Sequence, residues 1–327
     1  MATSLHKSGF GCDVTDHASA SVNMAPDGSV VLRTGGSDMG QGLHTVLAQF
    51  VAEQLGITPD LVNVYKPDTT LAADAGSSVA SRATLFSGNA VIRAADPIRK
   101  VLLDLAAEET GADLELLGLG NGFVHVEGER VNITVAQLAA KAYESNLPMQ
   151  ASGFYTMDYP DAQLEDGTQG YEQTTSFGTH VAQVLVDIET GQVEVEQIVA
   201  VHDVGQVVNP GGLRGQIEGA VSMAVGYTFM EQLLVEQGIT LNNSLESYLI
   251  PTSFDTPDIK IGVVELHDAE APLGAKGAGE PPINITPAAI ANAVSDAIQM
   301  PVTQLPISPE WILEAVQTSS DRGNDDS

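Results

Sequence analysis

Three glycine-centred segments each carry an amide or a carboxylate at a turn. The first, Gly35-Gly36-Ser37-Asp38-Met39-Gly40-Gln41-Gly42, ends where a helical pattern begins. Backbone N–H groups at such a junction suit an anionic or strongly polar ligand. The Gln41 amide both donates and accepts, as recognition of an oxo group requires. The segment also reads as an ordinary strand–helix turn. The second, running from Asn209-Pro210-Gly211-Gly212 to Gly215-Gln216-Ile217-Glu218-Gly219, again sets a glutamine beside glycine at a helix start. The third, Gly274-Ala275-Lys276-Gly277-Ala278-Gly279-Glu280-Pro281-Pro282, allows close backbone approach at its glycines and ends on a carboxylate followed by two prolines that fix the chain direction. Glu280 suits a general base if partly desolvated. It equally suits an acidic residue ahead of a helix, interacting with the helix dipole.

These segments need a scaffold, and the hydrophobic pattern supplies two α+β blocks. In the first, residues 1–145, the runs 18–24 and 29–34 alternate around Pro26-Asp27-Gly28, a hairpin signal. Leu43, Val46, Leu47, Phe50, Val51 and Leu55 then recur at helical spacing, with Gly56 as the stop. A strand at 61–65, a helix over 88–107, a hairpin at 123–133 and a short helix at 135–143 complete the block. Residues 146–177 show little periodicity and are expected to form an extended connection lying against a partner surface. The second block, 178–317, opens with a hairpin around Glu189-Thr190-Gly191. It continues with a helix over 212–229, a strand at 259–266 and a helix begun by Thr286-Pro287. The polar tail, 318–327, is expected to be disordered.

Composition narrows the partners. With 43 acidic and 13 basic residues the 327-residue chain carries a formal net charge of -30, which repels phosphate and argues against nucleic acid. Such scattered acidity fits a salt-rich cytoplasm as well as a merely acidic protein. One cysteine, Cys12, can neither close an internal disulfide nor complete an iron–sulfur or structural zinc site. No apolar run of about 20 residues is present for a membrane span, and the N-terminus lacks the apolar core of a signal peptide. The expectation is a cytoplasmic protein.

The segments in combination resemble a known family. Gly-Gly-Ser-Asp-Met-Gly-Gln-Gly is followed by Ser78-Val79-Ala80-Ser81-Arg82-Ala83-Thr84 and Ser87-Gly88-Asn89-Ala90. Then come His202-Asp203-Val204-Gly205 with Asn209-Pro210 and Gly215-Gln216-Ile217-Glu218-Gly219, Asn243-Ser244-Leu245 through Tyr248-Leu249-Ile250-Pro251-Thr252, and the segment ending at Glu280. Order and spacing over about residues 18–300 resemble the C-terminal molybdopterin-binding half of the large subunit in molybdenum hydroxylases, the xanthine dehydrogenase and aldehyde oxidase type.

That resemblance implies an α+β fold of two mixed-sheet subdomains with packed helices. It implies a molybdenum–pyranopterin cofactor, as the plain pterin or its cytosine dinucleotide, whose metal is held by the pterin dithiolene with no protein ligand. Gln41 and Gln216 match residues that hold the cofactor. Gly40, Gly42, Ala80, Ser81, Arg82, Gly277 and Gly279 are expected to contribute nearby contacts. Glu280 matches the family's base for hydroxylating an electron-poor carbon of an N-heterocycle or aldehyde, with oxygen taken from water. The implied partners are an upstream molybdopterin-domain chain, an iron–sulfur subunit and a FAD subunit, which would carry the clusters and flavin. The sequence departs from the family in lacking the half that bears a substrate-stacking aromatic and an orienting arginine, and in having Ser222-Met223 where many relatives have Gln-Gly. A non-catalytic assembly or scaffold subunit, a gene fragment and a carbon monoxide dehydrogenase-type half remain as alternatives.

Overall fold

A computed structural model describes residues 1–10, 16–65, 67–157 and 174–325. In chain order it opens with β1 (Ala2–Lys7), β2 (His17–Met24), β3 (Val30–Thr34), α1 (Leu43–Leu55), β4 (Val62–Tyr65) and α2 (Ala83–Thr110). Next come β5 (Leu117–Gly120), β6 (Phe123–Val126), β7 (Glu129–Thr134), α3 (Val135–Glu144) and β8 (Gln150–Thr156). The second half holds β9 (Thr175–Val186), β10 (Val193–Asp203), α4 (Pro210–Phe229), β11 (Val235–Glu236), β12 (Ile239–Thr240), β13 (Asp258–Val264), α5 (Pro281–Ile298) and α6 (Pro309–Asp325).

Two four-stranded mixed sheets carry the architecture, in the orders β4-β3-β2-β8 and β1-β9-β10-β13. Each has a helical layer on one face: α1 and α2 pack on the first sheet, α4 and α5 on the second. In β2 and β3 the buried and half-exposed residues alternate strictly, so Ala18, Ala20, Val22, Met24, Val30 and Leu32 all point at the helices. Leu47, Phe50, Leu55, Phe86, Ile98 and Leu102 answer them from α1 and α2. Each such fully buried side chain contributes roughly 1.5–3 kcal/mol. The second core is smaller, built on Ile198, Ile217, Val221, Ile290, Val294 and Ile312.

Several expectations are corrected. The first strand does not belong to the first block: β1 pairs antiparallel with β9, Ala2 opposite His180 through Lys7 opposite Thr175. Nor is the whole of 146–177 a connection. Residues 150–156 form β8, which lies along β2 with Asn23 opposite Gln150 and His17 opposite Thr156. Residues 158–173, like Cys12, fall outside the described residues. The alternation of β8 is hidden because one inward position is Gly153. A Cβ there would meet the Ala90 carbonyl oxygen of α2 at 2.1 Å, so the helix crosses the strand in backbone contact. Helix α2 starts five residues before the expected 88 and runs through Pro97. Helix α5 starts at Pro281, not at Thr286, because prolines at the first turn need no N–H partners. Beyond Gln317, where disorder is expected, the backbone of α6 continues to Asp325. Its first turns are anchored by buried Ile312 and Ala315. Among the described residues, no helix is long and apolar enough to cross a membrane.

Candidate functional site

A cavity of about 470 Å³ opens at the seam between the two sheet–helix units. All three glycine-centred segments border it, together with the turn into α2. Of the expected site residues, Gln41, Gly42, Ser81, Arg82, Gln216, Gly277, Gly279 and Glu280 line this space. Gly40 and Ala80 are next to lining residues without bordering the space themselves. Segments as far apart in sequence as Gln41 and Glu280 are thus brought to one place.

The turn at Ala80 and Ser81 makes that convergence possible. Both residues have left-handed backbone, φ 54° and 47°, a conformation that costs an L-residue roughly 1–2 kcal/mol each. The Gly9 N–H donates to the Ala80 carbonyl at 3.0 Å and holds the turn. On its other side lies Gly277, where a Cβ would meet the Ser81 carbonyl oxygen at 2.0 Å. Only glycine lets the two segments touch there. The Gly277 carbonyl accepts from buried Ser176 Oγ at 2.9 Å. Beside it Lys276 is drawn into the second unit, with Nζ donating to Asp203 Oδ2 at 2.7 Å and to the Thr175 carbonyl at 3.0 Å.

Glu280 is the residue before the first turn of α5, but its carboxylate does not cap that helix. It turns across the seam to Ser81, whose Oγ donates to Oε2 at 3.0 Å and accepts the Glu280 N–H at 3.0 Å. His6 Nε2 lies 3.4 Å from the same oxygen. The reading of Glu280 as a cap ahead of its helix therefore gives way to a carboxylate set at the cavity edge. Its side chain is 46% exposed, so further desolvation requires another body over the cavity. Among the described residues nothing pairs with Oε1.

Two of the expected contact groups are engaged within the protein itself. Asp38, and no external anion, satisfies the N-terminus of α1: its Oδ1 accepts from Gly40 at 3.0 Å and Gly42 at 3.3 Å, and Oδ2 from His44 at 3.0 Å. Burial works to raise the Asp38 pKa, but the amides of His44, Gly40 and Gly42, with the charge of His44, outweigh it and hold the carboxyl below its ordinary value. His44 Nε2 meets the Gly36 carbonyl at 2.9 Å, a local tie. Arg82, expected near the cofactor, has its guanidinium in the interior. There it pairs with Asp16 and donates to the carbonyls of Ala75 at 2.9 Å, Ser77 at 2.8 Å and His17, at 1% exposure. Four of its five N–H donors are thus committed inside the protein.

The two glutamines differ in readiness. Gln41 Nε2 donates to the Ser37 carbonyl at 2.8 Å, and Gln41 Oε1 accepts from the Met39 N–H, so its amide is closed on its own loop. Gln216 faces the cavity from α4, and among the described residues no protein group pairs with its amide. The free amide, the unpaired Glu280 Oε1 and apolar wall residues such as Leu43, Val204 and Leu213 suit a flat polar heterocycle bound by uncharged hydrogen bonds. Among the described residues, no three His, Cys, Asp or Glu side chains are grouped to hold a metal ion. The free Gln216 amide and the glycine-lined backbone offer donors and acceptors that fit the edge of an organic cofactor.

Sequence alone missed Asp38 as the internal cap, and it missed His6, Lys276 and Asn284 around Glu280. Asp38 had a local signal, an acidic residue five positions before a helix start. His6 had none, because its neighbours at the site, Glu280 and Asn284, lie at the start of α5, at the other end of the sequence.

Comparison with known proteins agrees with this construction. The molybdopterin cofactor-binding domain family matches residues 1–257. The chain is 33% identical over 317 residues to a probable xanthine dehydrogenase component of Bacillus subtilis, covering 96% of this chain and 41% of that protein. It is 32% identical over 306 residues to the nicotine 6-hydroxylase large subunit of Paenarthrobacter nicotinovorans, covering 92% and 37%. Among solved structures, quinoline 2-oxidoreductase from Pseudomonas putida superposes with a TM-score of 0.84 at 29% identity, covering 96% of this chain and 41% of that one. The chain thus spans about two-fifths of the length of the relatives it matches.

Proposed function

The chain belongs to the molybdopterin cofactor-binding domain family, and on that premise we propose that it forms one wall of the active site of a molybdenum hydroxylase. The reaction proposed is oxidation of an N-heterocycle or an aldehyde, with water supplying the oxygen atom. The observation that carries this reading is Glu280: one carboxylate oxygen is tied by Ser81, and the other is unpaired at the cavity that the free amide of Gln216 also lines. When bound, the molybdenum–pyranopterin group supplies a Lewis acid and a sink for two electrons. Glu280 Oε1 takes up the proton released as the carbon–oxygen bond forms. Gln216 offers both a donor and an acceptor to the pterin edge. Gln41 does the same once its amide leaves Ser37 and Met39, and the backbone around Gly42, Ser81, Gly277 and Gly279 shapes the space. Leu43, Val204 and Leu213 keep water from the rest of the cavity.

The half-exposed carboxylate supports a further part of the proposal, that another molybdopterin-domain segment closes the cavity from the open side. Iron–sulfur and FAD subunits are the proposed route for the electrons. Either the plain pterin or its cytosine dinucleotide is compatible with the walls described. The net charge of -30 supports work in a salt-rich cytoplasm.

The test is to purify the assembled protein at high salt and compare wild type with Glu280→Gln. The variant is expected to retain molybdenum and its co-purifying chains while turnover falls by a factor of about 10²–10⁴, the usual worth of a general base. Turnover at the wild-type rate removes Glu280 from the chemistry. A metal-free chain purifying alone overturns the catalytic reading altogether.

A further inference from the structure

We propose that His6 is a positioning residue for Glu280, holding the Oε2 oxygen so that Oε1 is the one presented to the cavity. The inference rests on the reading of Glu280 as the base.

The geometry begins with β1, which pairs with β9 and lies beside α5. Two asparagines of α5 fasten it: Asn292 Nδ2 donates to the Met1 carbonyl at 2.9 Å, and Asn284 Nδ2 meets His6 Nδ1 at 3.0 Å. Asn284 follows Glu280 by four residues and so shares its face of the helix, one turn on. An amide NH₂ group only donates, so His6 Nδ1 accepts and the neutral ring carries its proton on Nε2. That nitrogen is enclosed and has no hydrogen-bond partner at normal length. What it faces is Glu280 Oε2, at 3.4 Å. Ser81 Oγ donates to the same oxygen. Two donors therefore aim at Oε2 and none of the described groups at Oε1.

The asymmetry has a chemical consequence. An oxygen that accepts from Ser81 and faces the His6 N–H is the poorer acceptor for a further proton, so the incoming proton is directed to Oε1. Among the described residues the nearby cations do not compete, since Lys276 is paired with Asp203 and Arg82 with Asp16. A buried Nε2–H without an acceptor favours a small closure of the 3.4 Å gap when the carboxylate is ionised. A histidine that merely packed β1 against α5 would need neither the Asn284 contact nor the approach to Glu280.

Two measurements test this. In the full chain labelled with ¹⁵N-histidine, the His6 resonances are expected to show the neutral Nε2–H tautomer, and the Nε2 signal is expected to move in Glu280→Ala. A His6 proton on Nδ1, or an Nε2 signal indifferent to Glu280→Ala, overturns the proposal. In the assembled enzyme, with benzaldehyde and hypoxanthine as probes of the two substrate classes, His6→Leu is expected to lower kcat roughly 10-fold. KM and molybdenum content are expected to hold. His6→Gln, which keeps an N–H near the Nε2 position, is expected to recover most of the loss. An inactive Glu280→Gln beside a His6→Leu of wild-type kcat overturns this inference alone, whereas an active Glu280→Gln overturns the base reading and this inference with it.

Discussion

His180 and His202 meet edge to face in the second core, their Nε2 atoms 2.7 Å apart and both rings fully buried. Thr286 Oγ donates to the Pro282 carbonyl at 2.9 Å, so it accepts from His180 Nδ1–H at 2.9 Å. His180 Nε2 is then an acceptor, and the proton between the rings belongs to His202. The chain of bonds requires His180 to be neutral, and it ends at the first turn of α5, two residues beyond Glu280.

Acid should therefore weaken the fold through this pair. Burial, with the neighbouring ring, lowers His180 to about 3, and burial lowers His202 to about 4, both from an ordinary 6.5. Above pH 6.5 both states are neutral and the pair contributes no pH dependence. Below it the unfolded chain binds protons that the folded chain refuses, so stability falls until about pH 3–4. Each such proton costs about 1.4 kcal/mol per pH unit in that window. Urea midpoints of wild type and of His180→Gln/His202→Gln, measured from about pH 7.5 to 4.5, check this. The double variant is expected to show the shallower fall, and equal slopes would refute the assignment.

The Asp16–Arg82 pair should be costly to break. Both side chains are 1% exposed, and Arg82 also holds three carbonyls that fix the approach to the Ala80–Ser81 turn. Asp16→Asn leaves a buried guanidinium without its anion and is expected to destabilise by about 3–5 kcal/mol. Denaturant unfolding would show it, and a loss below about 1 kcal/mol would mean that the carbonyls alone neutralise the site.

Gly277→Ala tests the contact between segments. The added methyl meets a carbonyl oxygen at 2.0 Å, so either the Ser81 turn or the glycine segment must retreat. Overpacking of this kind costs about 1–3 kcal/mol. Because Ser81 and Gly277 both line the cavity, molybdenum retention is expected to fall along with the melting temperature. Gly219→Ala, where a methyl meets nothing within 4 Å, serves as the control and is expected to melt no lower than wild type. Equal effects of the two substitutions would show that the seam gives way easily.

Much of the frame could be read from residue patterns. The strict alternation of β2 and β3 and the helical spacing of α1 gave their elements directly. So did the Glu189-Thr190-Gly191 turn between β9 and β10. What failed was non-local. β1 joins a strand more than 160 residues away, and no property of six alternating residues announces that partner. β8 was masked by a glycine where an apolar residue would ordinarily mark the inward face. At the site, residue types and order pointed to Gln41, Gln216 and Glu280, and the structure brings all three to one cavity. Direction was beyond reach of the sequence: Arg82 turns inward, Gln41 closes on its own loop, and Glu280 leaves its helix for Ser81.

Asp38 has one more consequence. Because its carboxylate already occupies the amides of Gly40, Gly42 and His44, the loop before α1 takes its shape with no guest present. The ordering entropy of those residues is charged to folding, and a bound molecule meets a preorganised rim. Assembly can then run in a fixed sequence, chain first and cofactor afterwards, with the empty chain a competent receiver that does not depend on its guest to fold.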